Sequence, residues 1–224
     1  WRHEVQKSGW VNNELQNYVN GSADGKRVTE IADNRLYINC FKGSDGKIYS
    51  GRVYAHENQG WLYGIFEARI KLPKGKGTWP AFWMMPCNND FGANPWPKCG
   101  EIDIMEEVGV NPNYTSSSLH TEKFNHVMGT QITKERQTAG AEDGFHVYRL
   151  EWTPDYIKTY VDGKELLNFN NDGKNDVGSW PFNKPFYVIL NLAWGGDWGG
   201  MKGVDESALP VQMEVDYVRV FQKK

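Results

Sequence analysis

An all-β sandwich of antiparallel sheets is the fold class this sequence predicts, on three observations. Apolar and aromatic residues alternate with period two in several short runs, Asp-Gly turn signals punctuate the chain, and no stretch carries a long apolar stripe at helical spacing. A period of two sends successive side chains to opposite faces of a strand, so each run offers one face to a core.

The strand-like runs are, in order, Arg35–Cys40 (RLYINC), Tyr63–Lys71 (YGIFEARIK), Phe145–Trp152 (FHVYRLEW), Ile157–Val161 (IKTYV), Phe186–Leu192 (FYVILNL) and Val211–Phe221 (VQMEVDYVRVF). All favour β-branched or aromatic residues. Turn signals stand at Asp24-Gly25, Asp45-Gly46, Asp162-Gly163 and Asp172-Gly173. Asp162-Gly163 falls between two such runs and predicts a tight hairpin. No linker, repeat or low-complexity segment interrupts the pattern, so residues 1–224 read as one domain. Trp1 opens mid-pattern, as if a leader and an opening strand had preceded it.

Net charge is −3 and the sequence pI about 6.0, which gives no reason to expect nucleic acid or an anionic membrane as partner. No apolar run is long enough to span a membrane. The 10 Trp, 11 Tyr and 10 Phe are unusual, because Trp is rarely fully buried and presents a flat apolar face. The C–H face of a sugar ring suits that surface, although a Trp-rich core explains composition equally well. Three cysteines are too few for a disulfide scaffold, and no Cys/His spacing suggests zinc. Cys87 and Cys99 bracket a short loop and read equally as a disulfide or as two thiols. That loop, Cys87–Gly100 (CNNDFGANPWPKCG), and Ala193–Gly203 (AWGGDWGGMKG) hold Trp among Gly, Asn and Pro, which suggests binding loops over a rigid sheet.

The segment Gly100–Val108 (GEIDIMEEV) carries the chemistry. On a strand beginning at Glu101, Glu101 and Asp103 share one face, and Ile102 and Ile104 share the other. Strict alternation would put Met105 on the acidic face, so a β-bulge of one residue is needed to restore Glu106 to it. Three carboxylates on one strand face repel one another and add nothing to a core. With four strand steps between them, Glu101 and Glu106 are roughly 13 Å apart at the backbone. Side chains leaning together could approach the roughly 5–5.5 Å carboxyl separation of retaining glycosidases, in which one carboxylate attacks the anomeric carbon and the other serves as acid and base. Asp103 can hydrogen-bond the nucleophile and keep the two glutamates in different protonation states.

At these residues the chain resembles glycoside hydrolase family 16, in its laminarinase-like and mixed-linkage glucanase branch. Glu101–Glu106 (EIDIME) is similar to the family signature in its bulged form. Gly9–Gln16, Tyr49–Arg52, Tyr63–Pro73, Thr78–Met85, His120, Phe145–Trp152 and Val215–Val220 also match in order. The resemblance implies a β-jelly-roll of two curved antiparallel sheets with a concave cleft. It implies Glu101 as nucleophile, Asp103 as its support, Glu106 as acid/base and His120 beside the acid/base. It further implies Asn13, Arg52, Trp79, Trp83 and Trp96 as sugar contacts, with Asn191 and Trp194 near the cleft. Spacing agrees for Trp79 and Trp83, which alternation places on one face. Asp216 resembles a position that ligates a structural calcium, while catalysis is expected to need no cofactor.

The activity implied is endo-hydrolysis of β-1,3-glucan (laminarin) or mixed β-1,3/1,4-glucan with retention of configuration. A transglycosylase on xyloglucan normally has the unbulged motif, which Met105 argues against, and a hydrolase of sulfated galactans should carry clustered Arg or Lys. A non-catalytic glucan-binding module would typically have lost one glutamate, and both are present. A polymeric substrate sets the expected address as extracellular, cell-surface or periplasmic, and the expected state as monomer.

Overall fold

A computed structural model describes residues 1–55, 59–87 and 94–223. Two large sheets pack face to face. The seven-stranded sheet runs Arg2–His3, Arg52–Ala55, Phe186–Trp194, Thr78–Pro86, Glu101–Glu106, Tyr114–His120 and Ile132–Gln137, every neighbour antiparallel. The nine-stranded sheet contains the other long runs, with Gly64–Lys71 and Val211–Phe221 paired at its centre. Among the described residues, its one parallel pairing joins Gln16–Tyr18 to Ile48–Ser50. This is the jelly-roll sandwich that the alternation and the resemblance implied.

The inner faces follow from period two. Phe82, Met84, Ile102, Val188, Leu190 and Leu192 of one sheet meet Ile38, Phe66, Ile70, Leu150, Trp152 and Met213 of the other in one buried cluster. Trp152 anchors it, edge-on to Phe186 and donating its indole N–H to Phe182 O at 3.1 Å. The Asp162-Gly163 turn forms as expected, with both residues at positive φ (48° and 75°) between Tyr156–Val161 and Lys164–Asn170.

Two strands of the seven-stranded sheet have no apolar alternation. Tyr114–His120 (YTSSSLH) buries three serines. Ser117 donates to Ile104 O at 2.7 Å, and Ser118 bonds Thr133 at 2.9 Å, so hydroxyl partners replace apolar packing. Ile132–Gln137 (ITKERQ) is the edge strand, and its charges discourage pairing with a further chain.

Behind the carboxylate strand lies a second acidic pair. Glu107 is fully buried, its Oε1 accepting from the backbone N–H of Asn113 at 2.6 Å while Oε2 has no partner. Burial first, and the charge of Glu142 second, push its carboxyl up to about 8. The folded protein therefore keeps a proton that the unfolded chain releases near 4.5. Between those two values the folded state binds more protons, so this contribution is full at low pH and is lost as pH rises toward 8. Glu107→Gln is expected to leave thermal stability unchanged near pH 4 and to raise it at pH 9, on the order of 3 kcal/mol. A variant less stable than the parent at pH 9 would refute this account.

Asp216, the position expected to ligate a structural calcium, is paired within the chain. Asp216 Oδ2 accepts from Arg69 Nη1 at 2.7 Å, and that guanidinium rests on the Phe145 ring at 4.6 Å. Calcium needs roughly six to eight oxygens. The Arg69 guanidinium neutralises this carboxylate.

Candidate active site

The Glu101–Glu106 strand enters from Gly100, whose φ of 86° and close approach to Pro181 exclude a side chain. Its register carries the expected bulge. From Asp103 to Glu106 is three steps, whereas the partner strand advances only from Ser118 to Ser116. On the other side Phe82 pairs Met105 and Trp83 pairs Asp103, again one residue in excess. Ile104 and Met105 both enter the core, at 1% and 0% exposure. Glu106 thereby returns to the face of Glu101 and Asp103.

Each glutamate receives an indole N–H. Trp96 Nε1 donates to Glu101 Oε2 at 2.6 Å, and Trp79 Nε1 donates to Glu106 Oε1 at 3.0 Å. Trp198 stands edge-on to Trp79 at 5.5 Å. His120 pairs directly across from Glu101, and its Nε2 lies 3.3 Å from Asp103 Oδ2. Its charge acts on Glu101 and Glu106 alike, while Glu106 pairs Ser116 across the strands. The bulge and the antiparallel register together put the histidine at the Glu101 end.

All three carboxyls are raised, with burial as the largest cause. Glu106 is pushed up to about 7, the Trp79 N–H partly opposing the shift. Glu101 is pushed up to about 8, with the charge of Asp103 the second cause and His120 opposing. Asp103 is pushed well above the carboxylate range, by burial and then by Glu106. Glu101 and Asp103 are hydrogen-bonded to each other, and the proton between them can sit on only one. Asp103, at 2% exposure, has lost more hydration than the half-buried Glu101. Burial raises both carboxyls, and the shared proton ties Glu101 and Asp103 into one titrating unit. Glu106, less strongly held, can carry a proton of its own near neutrality. Two glutamates with raised carboxyl values then face the same cleft.

One side of the floor is aromatic. Trp83 Nε1 donates to Asn191 Oδ1 at 2.7 Å, and Asn191 Nδ2 donates to the Tyr18 hydroxyl at 3.2 Å. Arg52, at 7% exposure, lies between the rings of Trp10 and Trp83, 5.0 and 4.7 Å from their centroids. Asn13 stands at the rim, donating to Asp197 at 2.8 Å. Asn13, Arg52, Trp79, Trp83, Trp96 and Asn191 thus line one surface. Trp194 does not: it is fully buried in the core. Three strand steps separate it from Asn191, so alternation sends the two to opposite faces.

Several residues of this surface escaped the sequence reading. Glu14, at 7% exposure, accepts from Gln16 Nε2 at 2.6 Å and from the Tyr18 hydroxyl at 3.4 Å, and it faces Arg52 electrostatically. Its carboxyl is raised by burial. His126 stacks on Trp96, with ring centroids 4.9 Å apart. Its loop is built on buried Asn125, whose amide donates to Thr121 O and Glu122 O and whose carbonyl caps Met128 N. Trp198 alone had a signal, since it belongs to the Gly- and Trp-rich loop already singled out. Residues 88–93 of the Cys87–Gly100 loop lie outside the described residues.

The sequence model described as "Glycosyl hydrolases family 16" matches residues 12–219. The chain is 42% identical over 228 residues to a beta-glucanase of Rhodothermus marinus, covering 99% of this chain and 79% of that protein. It is 36% identical over 236 residues to a glucan endo-1,3-beta-glucosidase of Cryptopygus antarcticus, covering 98% and 85%. Among solved structures, the laminarinase from Rhodothermus marinus superposes with a TM-score of 0.91 at 41% identity, over 98% of this chain and 89% of that one.

Proposed function

Since this chain belongs to glycosyl hydrolases family 16, we propose that it is a retaining endo-β-glucanase acting on β-1,3-glucan or mixed-linkage β-1,3/1,4-glucan. The observation that carries the mechanism is the bulged strand, which sets Glu101 and Glu106 on one cleft face with Asp103 between them. Glu101 attacks the anomeric carbon while Glu106 protonates the departing glycosidic oxygen. A β-glucosyl bond breaks and an α-linked ester to Glu101 forms. Glu106, now a carboxylate, takes a proton from water, whose oxygen displaces Glu101 and restores the β configuration. Asp103 and the Trp96 N–H hold Glu101 in position and stabilise it as the leaving carboxylate. The chemistry needs no cofactor. We place the domain outside the cell, on its surface or in the periplasm, working as a monomer.

Trp79, Trp83 and the Arg52–Trp10 stack offer flat apolar and charge-assisted contacts to successive sugar rings. The test is product analysis on laminarin, barley mixed-linkage glucan, cellulose and xyloglucan, with the first-formed anomer read by NMR. Soluble oligosaccharides released with a β-anomeric end support the reading. An α-anomer as first product would overturn the double displacement.

The acid role of Glu106 sets a pH dependence. A group that must be protonated, with its value near 7, predicts that kcat/KM falls as pH rises through about 7. The Trp79 N–H lowers that value by stabilising the carboxylate, so Trp79→Phe should move the alkaline limb upward and lower kcat roughly tenfold. A limb that moved downward in Trp79→Phe would contradict the hydrogen bond's role.

A further inference from the structure

The cleft floor holds a set of metal-ligand atoms, two of them on carboxylates that the hydrolytic reading also uses. Glu101, Asp103 and His120 each present one such atom, and all lie within 4.8 Å of one another. One atom of the group, Asp103 Oδ2 on a residue 2% exposed, is buried without a hydrogen-bond partner. Asp103 Oδ2 faces His120 Nε2 at 3.3 Å without forming a hydrogen bond. Zinc ligands stand roughly 2.0–2.1 Å from the metal, so two ligands of a tetrahedral site are about 3.3 Å apart. The Asp103–His120 edge already has that length. The Glu101 carboxylate needs to close by at most about 1.5 Å, within the reach of one side-chain rotation.

The geometry points to a binding site for one divalent cation of the zinc type on Glu101, Asp103 and His120, exclusive of glucan. An imidazole nitrogen with two carboxylates suits zinc, copper or nickel, whereas calcium and magnesium prefer an all-oxygen shell. The fourth position faces the cleft and would take water. The cation would replace the proton that Glu101 and Asp103 now share, because both must be ionised to ligate. A ligated Glu101 cannot attack a sugar, so metal and polymer compete for the same carboxylate. Only this competition rests on the glucanase reading; the metal site itself does not.

The experiment is calorimetric titration of the full chain with ZnCl2 at pH 7.5, with CaCl2 in parallel. One zinc per chain is expected, without a matching calcium signal. His120→Ala should weaken the site at least ~10-fold, the scale on which even outer partners of a metal ligand act. His126→Ala, on the exposed neighbouring ring, should leave it intact. Asp103→Asn supplies a second variant, and thermal unfolding checks that each protein is folded. A laminarin oligosaccharide added to the Glu106→Gln protein should raise the apparent zinc Kd in proportion to its concentration. Zinc held equally well by His120→Ala and Asp103→Asn, or no binding below millimolar concentration, overturns the site. Zinc binding that persists unchanged beside bound oligosaccharide overturns the exclusion. Failure of the oligosaccharide itself to bind would count against the glucanase reading and leave the zinc site standing.

Discussion

Glu101→Gln is expected to lower kcat by on the order of 10⁵-fold, about 7 kcal/mol of transition-state stabilisation at 1.36 kcal/mol per decade. The amide keeps the shape of the side chain and can still accept the Trp96 N–H, now 2.6 Å from Oε2. What it loses is the electron pair that forms the ester. Burial already disfavours charge at this position, so the variant should be as stable as the parent or more so. Loss of activity with equal or higher thermal stability separates chemistry from folding. Azide offers a further check. In Glu101→Ala it can enter the vacated space, attack the anomeric carbon from the same face and release an α-glucosyl azide. Turnover within tenfold of the parent by folded Glu101→Gln would remove Glu101 from the nucleophile's role.

Glu106→Gln should give the second largest loss, roughly 10²–10⁴-fold on natural glucan, the usual contribution of general acid–base catalysis. The loss should depend on the leaving group. A sugar hydroxyl needs a proton as it departs, whereas an activated aryl leaving group needs little help. On an aryl β-glucan oligosaccharide the first step should be nearly spared. Hydrolysis of the ester should then become limiting, because no base activates water, and a burst of aryl alcohol should appear. Equal losses on both substrate types would assign Glu106 to binding rather than proton transfer. The variant should also lose the alkaline limb near pH 7, since that limb belongs to this carboxyl.

These roles were legible because the evidence for them is local. Alternation along six residues puts Glu101 and Asp103 together, and the same arithmetic demands one extra residue before Glu106 can join them. The bulge at Ile104 and Met105 meets that demand. Trp79 and Trp83 were legible for the same reason, being four residues apart on one strand. Composition was less informative. Among the ten tryptophans Trp152, Trp180 and Trp194 fill the core, while Trp79, Trp83, Trp96 and Trp198 line the cleft. No count of residues separates those two uses.

The sequence by itself determined the fold class, the carboxylate face and the need for a bulge, because each follows from the period of a single strand. Tertiary structure decided whatever depends on which strands meet and in what register. Serines rather than aliphatics pack under Ile104, since the neighbouring strand brings hydroxyls to a backbone carbonyl. His120 stands across from Glu101 and against Asp103, because antiparallel pairing across a bulge shifts every later partner by one. Asn191 faces the cleft and Trp194 the core, and only the burial of the whole sheet face selects which is which. Arg69 reaches Asp216 from 147 positions away in the chain. Such contacts are written in no local pattern: the energy that chooses them comes from closing two sheets over one core, and the register that buries the most apolar surface carries every polar side chain to its place.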